Sequence, residues 1–296
     1  MSFEQGIRQS VNSETRLYGV LGDPIRHSRS PVMIGRAFSE TGVNAIYTAF
    51  HVSSAQLAAA VQGIRGLGIQ GMNVTLPHKV AVMEHLDEID ETARIAGAVN
   101  TIVNRAGVLK GYNTDGIGYV RSLKEEVGIP LQGATFLLLG AGGAARGVAH
   151  ALAKESPAKM VIANRTMVKA KQLAAELMDV DAQGISWDEL GIWSERAHFI
   201  INTTPIGMHP NIYELPMDPR LIRPGTVVSD LIYNPLYTEW LLQAKVAGAK
   251  IHSGLGMFIY QGAFAFEYWT GIAAPIRAMR EVVLATFEQK DDVHDQ

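Results

Sequence analysis

"ATFLLLGAGGAARGVAHALAKE", Ala134–Glu155, decides the fold. Thr135–Leu139 is an apolar run of strand length, glycines follow without a break, and an Ala-rich stretch of helical spacing starts at once. A strand that turns through glycine straight into a helix is half of a βαβ unit. Gly140, Ala141, Gly142, Gly143 and Ala144 make a G-x-G-G variant of the dinucleotide fingerprint. Gly140 permits the tight turn and Gly142 lets backbone approach a pyrophosphate. The helix start aims N–H groups and partial positive charge at the same place. G-x-G alone is a weak pattern, so a tight turn without a ligand stays open as the alternative.

The same alternation continues on both sides. Downstream come a strand in "KMVIAN" (Lys159–Asn164), a helix from Thr166 to about Met178, and strands in "HFIINTT" (His198–Thr204) and "TVVSDLIY" (Thr226–Tyr233). A helix in "TEWLLQAKVAGA" (Thr238–Ala249) follows. Upstream, strands at Leu17–Leu21, Ala45–His51, "GMNVTL" (Gly71–Leu76) and Val99–Val103 alternate with helices at Pro31–Thr41 and Ala55–Leu67. This order favours a mainly parallel sheet. "GLGMFIYQGAFAFEYWTG" (Gly254–Gly271) reads as a long apolar helix that returns to the first domain. The fold class is therefore α/β in two domains. One is a discontinuous α/β domain, residues 1–115 plus 251–296, and the other a Rossmann-like dinucleotide-binding domain, residues 116–250.

The end of the second strand of that unit discriminates between nucleotides. NAD-binding versions carry Asp or Glu there to accept the ribose 2′-OH. This chain has "NRT", Asn164, Arg165 and Thr166, with Lys169 one turn on. A guanidinium pairs with a 2′-phosphate that a carboxylate would repel, so the cofactor expected is NADP. The alternative is a solvated Arg165 and a Thr166 that only caps its helix.

At 296 residues, with 47% hydrophobic and 19% charged residues, the chain has material for real cores. Its net charge of −3 gives no reason to expect nucleic acid or an anionic membrane as partner. The absence of cysteine removes disulfides, thiolate metal sites and cysteine nucleophiles. The polar start "MSFEQGIRQSVNSETR" lacks a signal-peptide core, no run approaches membrane-spanning length, and the tail "EQKDDVHDQ" reads as frayed. The expectation is a cytoplasmic protein. The nine histidines show no ligand spacing, and no metal is expected.

"NVTLPHK" (Asn73–Lys79) is the best candidate for chemistry. Strand alternation puts Val74 and Leu76 on the buried side and Asn73 and Thr75 together on the other. His78–Leu86 reads as a helix with Lys79 in its first turn, where the helix's partial positive charge disfavours an ammonium and suits a proton carrier. Asp115 in "YNTDGIG" (Tyr112–Gly118) offers a carboxylate partner at the junction of the domains. A surface lysine and a plain N-cap aspartate are the alternatives. In "PIRHSRSP" (Pro24–Pro31), Ser30 before Pro31 reads as an N-cap, and with Ser28 it suits a carboxylate ligand as well as it suits capping alone.

Taken in order, "GVLGDPIRHSRSP", "NVTLPHK", "GAVNT", "YNTDGIG", "GAGGAAR", "NRT", "DLIYNPLYT" and "GLGMFIYQGAFAFEYWTG" closely resemble the shikimate dehydrogenase family from about Leu17 to Gly271. The resemblance implies NADP-dependent, reversible reduction of 3-dehydroshikimate to shikimate, and makes the discontinuous domain the substrate-binding one. It implies that Lys79 is the proton carrier and Asp115 its partner. Ser28 and Ser30 would hold the carboxylate, with Asn73, Thr75, Asn100 and Gln261 on the ring oxygens and Tyr233 beside them. On the cofactor side it implies Gly140–Ala144, Asn164, Arg165, Thr166 and Lys169, with Ile232, Gly254 and Met257 along the nicotinamide and Glu91 as a further contact. A homodimer and closure of the domains about Asp115 and Ala249–Gly254 are compatible expectations. Departures from the family pattern are "VMIG" (Val32–Gly35), Gly147 in the dinucleotide helix, and Arg29 where an apolar residue is common; Arg29 would sit near the carboxylate or point to solvent. The nearest rival is a quinate or dual quinate/shikimate dehydrogenase. A methylenetetrahydrofolate-type dehydrogenase leaves the paired serines without a role, and a nucleotide sensor leaves Lys79 and Asp115 without one.

Overall fold

In the second unit, continuous apolar runs make strands that are buried on both faces. The structure, a computed structural model, describes residues 11–291, with side chains through Glu288. It divides into two compact units, Met1–Thr114 with Gly262–Gln296, and Asp115–Gln261. The crossings thus fall at 114/115 and 261/262, where the sequence reading sets them at 115/116 and 250/251.

In the second unit the strands β7 (Thr135–Leu139), β8 (Lys159–Ala163), β9 (Ala182–Ile185), β10 (Phe199–Asn202), β11 (Val227–Asp230) and β12 (Lys250–His252) all pair parallel in the order β12-β11-β10-β7-β8-β9. This doubly wound order changes direction between β7 and β10, the place where such sheets bind ligands. Alternate strand residues feed two cores. Phe136, Leu138, Met160, Ile162, Phe199 and Ile201 pack under α4 (Asp115–Val127), α5 (Gly143–Ala153) and α6 (Met167–Glu176). Leu137, Leu139, Val161, Ile200 and Val228 pack under α7 (Leu190–Ser194) and α8 (Glu239–Val246). Gly116 of α4 lies so close to the Gly147 carbonyl of α5 that an added Cβ would stand 2.3 Å from it. The departure at Gly147 therefore sits at a close helix crossing.

The first unit is mixed rather than mainly parallel. β1 (Arg16–Gly22) pairs parallel with β2 (Ala45–His51) and β3 (Gly71–Val74), but β5 (Thr101–Arg105) runs antiparallel to β3. β6 (Val108–Tyr112) returns antiparallel on β5, and the short β4 (Glu88–Ile89) closes the edge, giving β2-β1-β3-β5-β6-β4. The β5–β6 turn uses Ala106 and Gly107, both at positive φ (50° and 90°), and the Gly107 N–H donates to Asn104 Oδ1 at 2.8 Å. That is hairpin-turn geometry without the usual Asn-Gly sequence signal.

One face of this sheet packs Leu21, Met72, Val74 and Ile102 against α2 (Leu57–Gly66) and α3 (Glu91–Ala96). The first unit's remaining helices are α1 (Ser30–Thr41), the end of α9 (Leu255–Thr270) and α10 (Ile276–Asp291); Phe38 of α1 and Trp269 of α9 meet the Tyr18 ring, and Phe266 of α9 meets Phe38. Trp269 occupies the space over Gly71, where a Cβ would lie 2.1 Å from the indole nitrogen, and its Nε1 donates to the Ile102 carbonyl at 2.9 Å. The chain continues as α10 through Asp291 where the sequence reading has a frayed tail; the rest of that tail, and the first ten residues of the polar start, lie outside the described residues.

Candidate active site

The glycine turn stands at the reversal point of the second sheet. Gly140 follows β7 at φ 112°, its N–H donating to the Ala163 carbonyl at 2.8 Å, and an added Cβ would press on Thr203 Oγ1 at 2.6 Å. Only glycine satisfies both the dihedral and the space. Gly142 precedes α5 with no side chain capping that helix, and a Cβ on Gly142 or Gly143 would meet no atom within 4 Å. The helix start is thus open backbone carrying partial positive charge, with Ala141 before it and Ala144 in its first turn. Beyond β8, Asn164 Nδ2 donates to the Thr166 carbonyl at 3.0 Å and so shapes the turn. Thr166 occupies the N-cap position of α6, but its hydroxyl makes no cap bond, contrary to the capping alternative. Arg165 and Lys169 are exposed, and no carboxylate stands at this strand end. The residues present fit a pyrophosphate at the turn and a 2′-phosphate beside Arg165.

Further along the second unit, Gly254 lets the chain pass the loop after β11: a Cβ there would stand 2.2 Å from the Leu231 carbonyl oxygen, and the Gly254 N–H donates to the Ile232 carbonyl at 3.0 Å. This brings Ile232 and Gly254 together at the start of α9. Tyr233 stacks on Phe258 at 4.4 Å between ring centroids, and Gln261 Nε2 donates to the Phe258 carbonyl at 2.8 Å. Met257 packs against the core under α4. The loop hangs on Asp230, a residue the sequence reading passed over. Its carboxylate accepts from the Ile232 N–H (3.0 Å), the Thr238 hydroxyl (2.9 Å) and Asn202 Nδ2 (3.2 Å), and burial raises it to about 6. Asp115 is the first residue of α4. That helix is fixed by a buried chain in which the Tyr119 hydroxyl donates to Ser229 Oγ (2.8 Å) and the Ser229 and Ser122 hydroxyls meet the two ring nitrogens of His252 (2.8 and 2.7 Å).

In the first unit, the structure corrects the reading of "NVTLPHK". β3 ends at Val74, all four of its residues are buried, and Leu76 is 68% exposed, so the alternation does not reach it. No α-helix starts at His78: a turn spans Leu76–Val80 and a single 3₁₀ segment covers Ala81–His85. Lys79 precedes that segment, so the argument from a helix terminus falls away. Its carbonyl accepts the Val99 N–H at 2.7 Å, and its side chain is half-buried. His78 is buried with Nε2 on the Val52 carbonyl at 2.6 Å, which ties the turn to the end of β2. The Thr75 N–H donates to the Leu21 carbonyl at 3.0 Å, and Gly22 leaves room for its methyl.

Ser30 is not the N-cap of α1. Arg29 holds that position, and the Ser30 N–H donates to Ser28 Oγ at 3.3 Å. Arg29 neither faces solvent nor follows the serines: it is 8% exposed, with Nε on Thr286 Oγ1 at 2.7 Å and its guanidinium 3.8 Å above the Phe287 ring. Asn73 and Asn100 meet in one buried network. Asn73 Nδ2 donates to the Asn100 carbonyl and to Thr101 Oγ1, both at 3.1 Å, and Asn100 Oδ1 accepts from the Thr114 N–H at 2.9 Å. Tyr47, Thr101 and Thr114 belong to this network and escaped the sequence reading. The signal was Thr101 directly opposite Asn73 in the β3–β5 register. Glu91 is exposed at the start of α3, in the first unit, whereas the glycine turn and Arg165 belong to the second.

Family models match along most of this length: the shikimate dehydrogenase substrate binding domain over residues 20–102, shikimate / quinate 5-dehydrogenase over 122–210, and the shikimate 5'-dehydrogenase C-terminal domain over 254–284. A protein named shikimate dehydrogenase (NADP(+)) from Bacillus cereus is 50% identical over 270 residues, 91% of this chain and 98% of the relative. The chain belongs to the shikimate dehydrogenase family. Among solved structures of that family, a shikimate dehydrogenase in complex with NADP+ is 44% identical with a TM-score of 0.86, covering 94% of this chain and 97% of its own. The Thermus thermophilus shikimate 5-dehydrogenase in complex with NADP(H) and shikimate is 36% identical with a TM-score of 0.82, covering 90% and 98%. A quinate dehydrogenase from Corynebacterium glutamicum in complex with NAD shares the fold at 29% identity and a TM-score of 0.83, covering 92% and 99%.

Proposed function

We propose that this chain catalyses the reversible, NADP-dependent reduction of 3-dehydroshikimate to shikimate. The observation that carries the reading is the near full-length match to NADP-dependent shikimate dehydrogenases. The open helix start at Gly142 and the cationic strand end at Arg165 support the cofactor, and the polar network about Asn73 and Asn100 supports a polyhydroxylated substrate.

NADPH supplies the hydride for the carbonyl carbon. In our reading Lys79 gives the carbonyl oxygen its proton and recovers it in the reverse direction, and Asp115 orients the ammonium. Ser28 and Ser30 hold the carboxylate end, while Asn73, Thr75, Asn100 and Gln261 read the ring oxygens beside Tyr233. A site that hydrogen-bonds several hydroxyls rejects analogues lacking one. Gly140–Ala144 hold the pyrophosphate, Asn164, Arg165, Thr166 and Lys169 the adenosine phosphate, and Ile232, Gly254 and Met257 line the nicotinamide. Glu91 is the least supported cofactor contact. The relatives' names and the absence of a carboxylate at the β8 end weigh against quinate with NAD. Among the described residues no helix is long and apolar enough to cross a membrane. A cytoplasmic location and a homodimer complete the reading, and light scattering that returns a single-chain mass would remove the dimer.

The test is initial-rate cofactor reduction by the purified protein with shikimate or quinate and NADP or NAD. Shikimate with NADP should dominate, and a preference for quinate or for NAD would overturn the assignment. In the same assay Lys79→Ala should lose at least about 3 kcal/mol of transition-state stabilisation with the substrate KM little changed. Near-normal kcat would refute the lysine's role.

A further inference from the structure

Two asparagines to which the proposed function gives the ring oxygens, Asn73 in β3 and Asn100 just before β5, are joined by one hydroxyl. Backbone groups fix how both amides are turned. The Asn100 carbonyl can only accept, so Asn73 points its NH₂ at it, at 3.1 Å. The Thr114 N–H can only donate, so Asn100 turns Oδ1 toward it, at 2.9 Å. Thr101 of β5 stands between the two amides with no exposed surface. Its oxygen accepts the second Asn73 N–H at 3.1 Å, and its single proton goes to Asn100 Oδ1 at 3.0 Å. The Thr114 hydroxyl, at 3.4 Å, is the more distant acceptor. The chain therefore runs one way, from the Asn73 amide through the Thr101 hydroxyl to Asn100 Oδ1. Strand register holds it in place, since Thr101 lies directly opposite Asn73 on β3 and opposite Tyr112 on β6.

We infer that Thr101 is a positioning residue for the substrate ring, holding the Asn73 and Asn100 amides in one fixed relative orientation. A side chain with no exposed surface meets no ligand, so Thr101 acts only through the two asparagines. Without its hydroxyl, one Asn73 N–H loses its acceptor and Asn100 Oδ1 loses a donor. Buried polar groups left short of partners turn to recover them, and the amides then no longer meet the ring as a pair. Valine keeps the branched shape of Thr101 and lacks the hydroxyl, whereas serine keeps the hydroxyl and lacks the methyl. The inference rests on the proposed shikimate chemistry, which assigns both amides to the substrate.

The experiment compares kcat and the KM values for shikimate and NADP in wild type, Thr101→Val and Thr101→Ser. Thr101→Val should raise the shikimate KM about 10-fold, the scale of one hydrogen bond, with kcat within about 3-fold and the NADP KM unchanged. Thr101→Ser should stay within about 2-fold of wild type in all three. A role confined to packing reverses that order, because valine preserves the shape that serine loses. An unchanged shikimate KM in Thr101→Val, or a rise in Thr101→Ser as large as in Thr101→Val, would overturn the inference. If Thr101→Val fails to fold, Thr101→Ser and the wild type decide. The Asn73 side-chain amide protons should then exchange with water slowly by NMR in both, and exchange as fast as that of exposed asparagines would overturn it. A wild type that does not reduce NADP with shikimate overturns the proposed function and this inference with it, whereas an active wild type with the wrong variant pattern overturns this inference alone.

Discussion

Asp230 keeps a carboxyl group out of water so that a loop can hang from it. Its carboxyl is raised to about 6 by burial, against roughly 4 in an unfolded chain. The folded form therefore binds this proton more tightly than the unfolded form does. Stability linked to Asp230 is fully present below about pH 4 and is lost as the pH rises to about 6, an amount of about 3 kcal/mol. Urea unfolding at a series of pH values should show that fall in the wild type, and Asp230→Asn should flatten it. An equal fall in the variant would assign it to other groups. The residue scale is also where the sequence was least legible. Arg165 at a strand end could be read because its meaning comes from a local motif. Arg29 could not, since what buries it are Thr286 and Phe287, more than 250 positions away. Tyr47 looked like one more β-prone aromatic until Asn73 appeared next to its hydroxyl.

At the scale of elements, the strand–glycine–helix junction read correctly because every requirement in it is local. Gly140 needs φ 112° whatever the rest of the chain does. Gly140→Ala should combine that dihedral strain with the press on Thr203, costing at least about 1–2 kcal/mol of stability, and should weaken cofactor binding. A melting temperature and an NADPH titration, both unchanged, would show the turn to be more tolerant than the geometry requires. Elements fixed by partners read less well. β5 looks like any apolar strand, and only its pairing with β3 and β6 reveals that it runs antiparallel. The helix expected after Pro77 became a turn and a short 3₁₀ segment, in which the Lys79 carbonyl accepts the Val99 N–H and the Met83 N–H donates to the Val80 carbonyl instead. Most of α10 draws no reading from the sequence and its last turn reads as frayed, yet Met279 and Val283 are fully buried in it.

At the scale of the molecule, the first unit is assembled from both ends of the chain. α10 packs on α1, and its Phe287 lies under the guanidinium of Arg29 at the start of α1. Ending the chain after Ala274 removes that helix, and with it the Thr286 and Phe287 partners of Arg29 and the buried Met279 and Val283. Such a truncation should abolish shikimate binding while NADPH binding by the second unit persists, read by calorimetry with each ligand. Loss of both together would mean that the units do not hold their structure independently. The twofold use of α9, whose early residues serve one unit and whose Trp269 fills the space above Gly71 of the other, has a consequence for biosynthesis. The dinucleotide-type unit is complete as soon as Gln261 has left the ribosome, so it can fold on the nascent chain. The lobe that contains Gly71, although its strands are made first, must wait with its aromatic core open until Trp269 has also emerged.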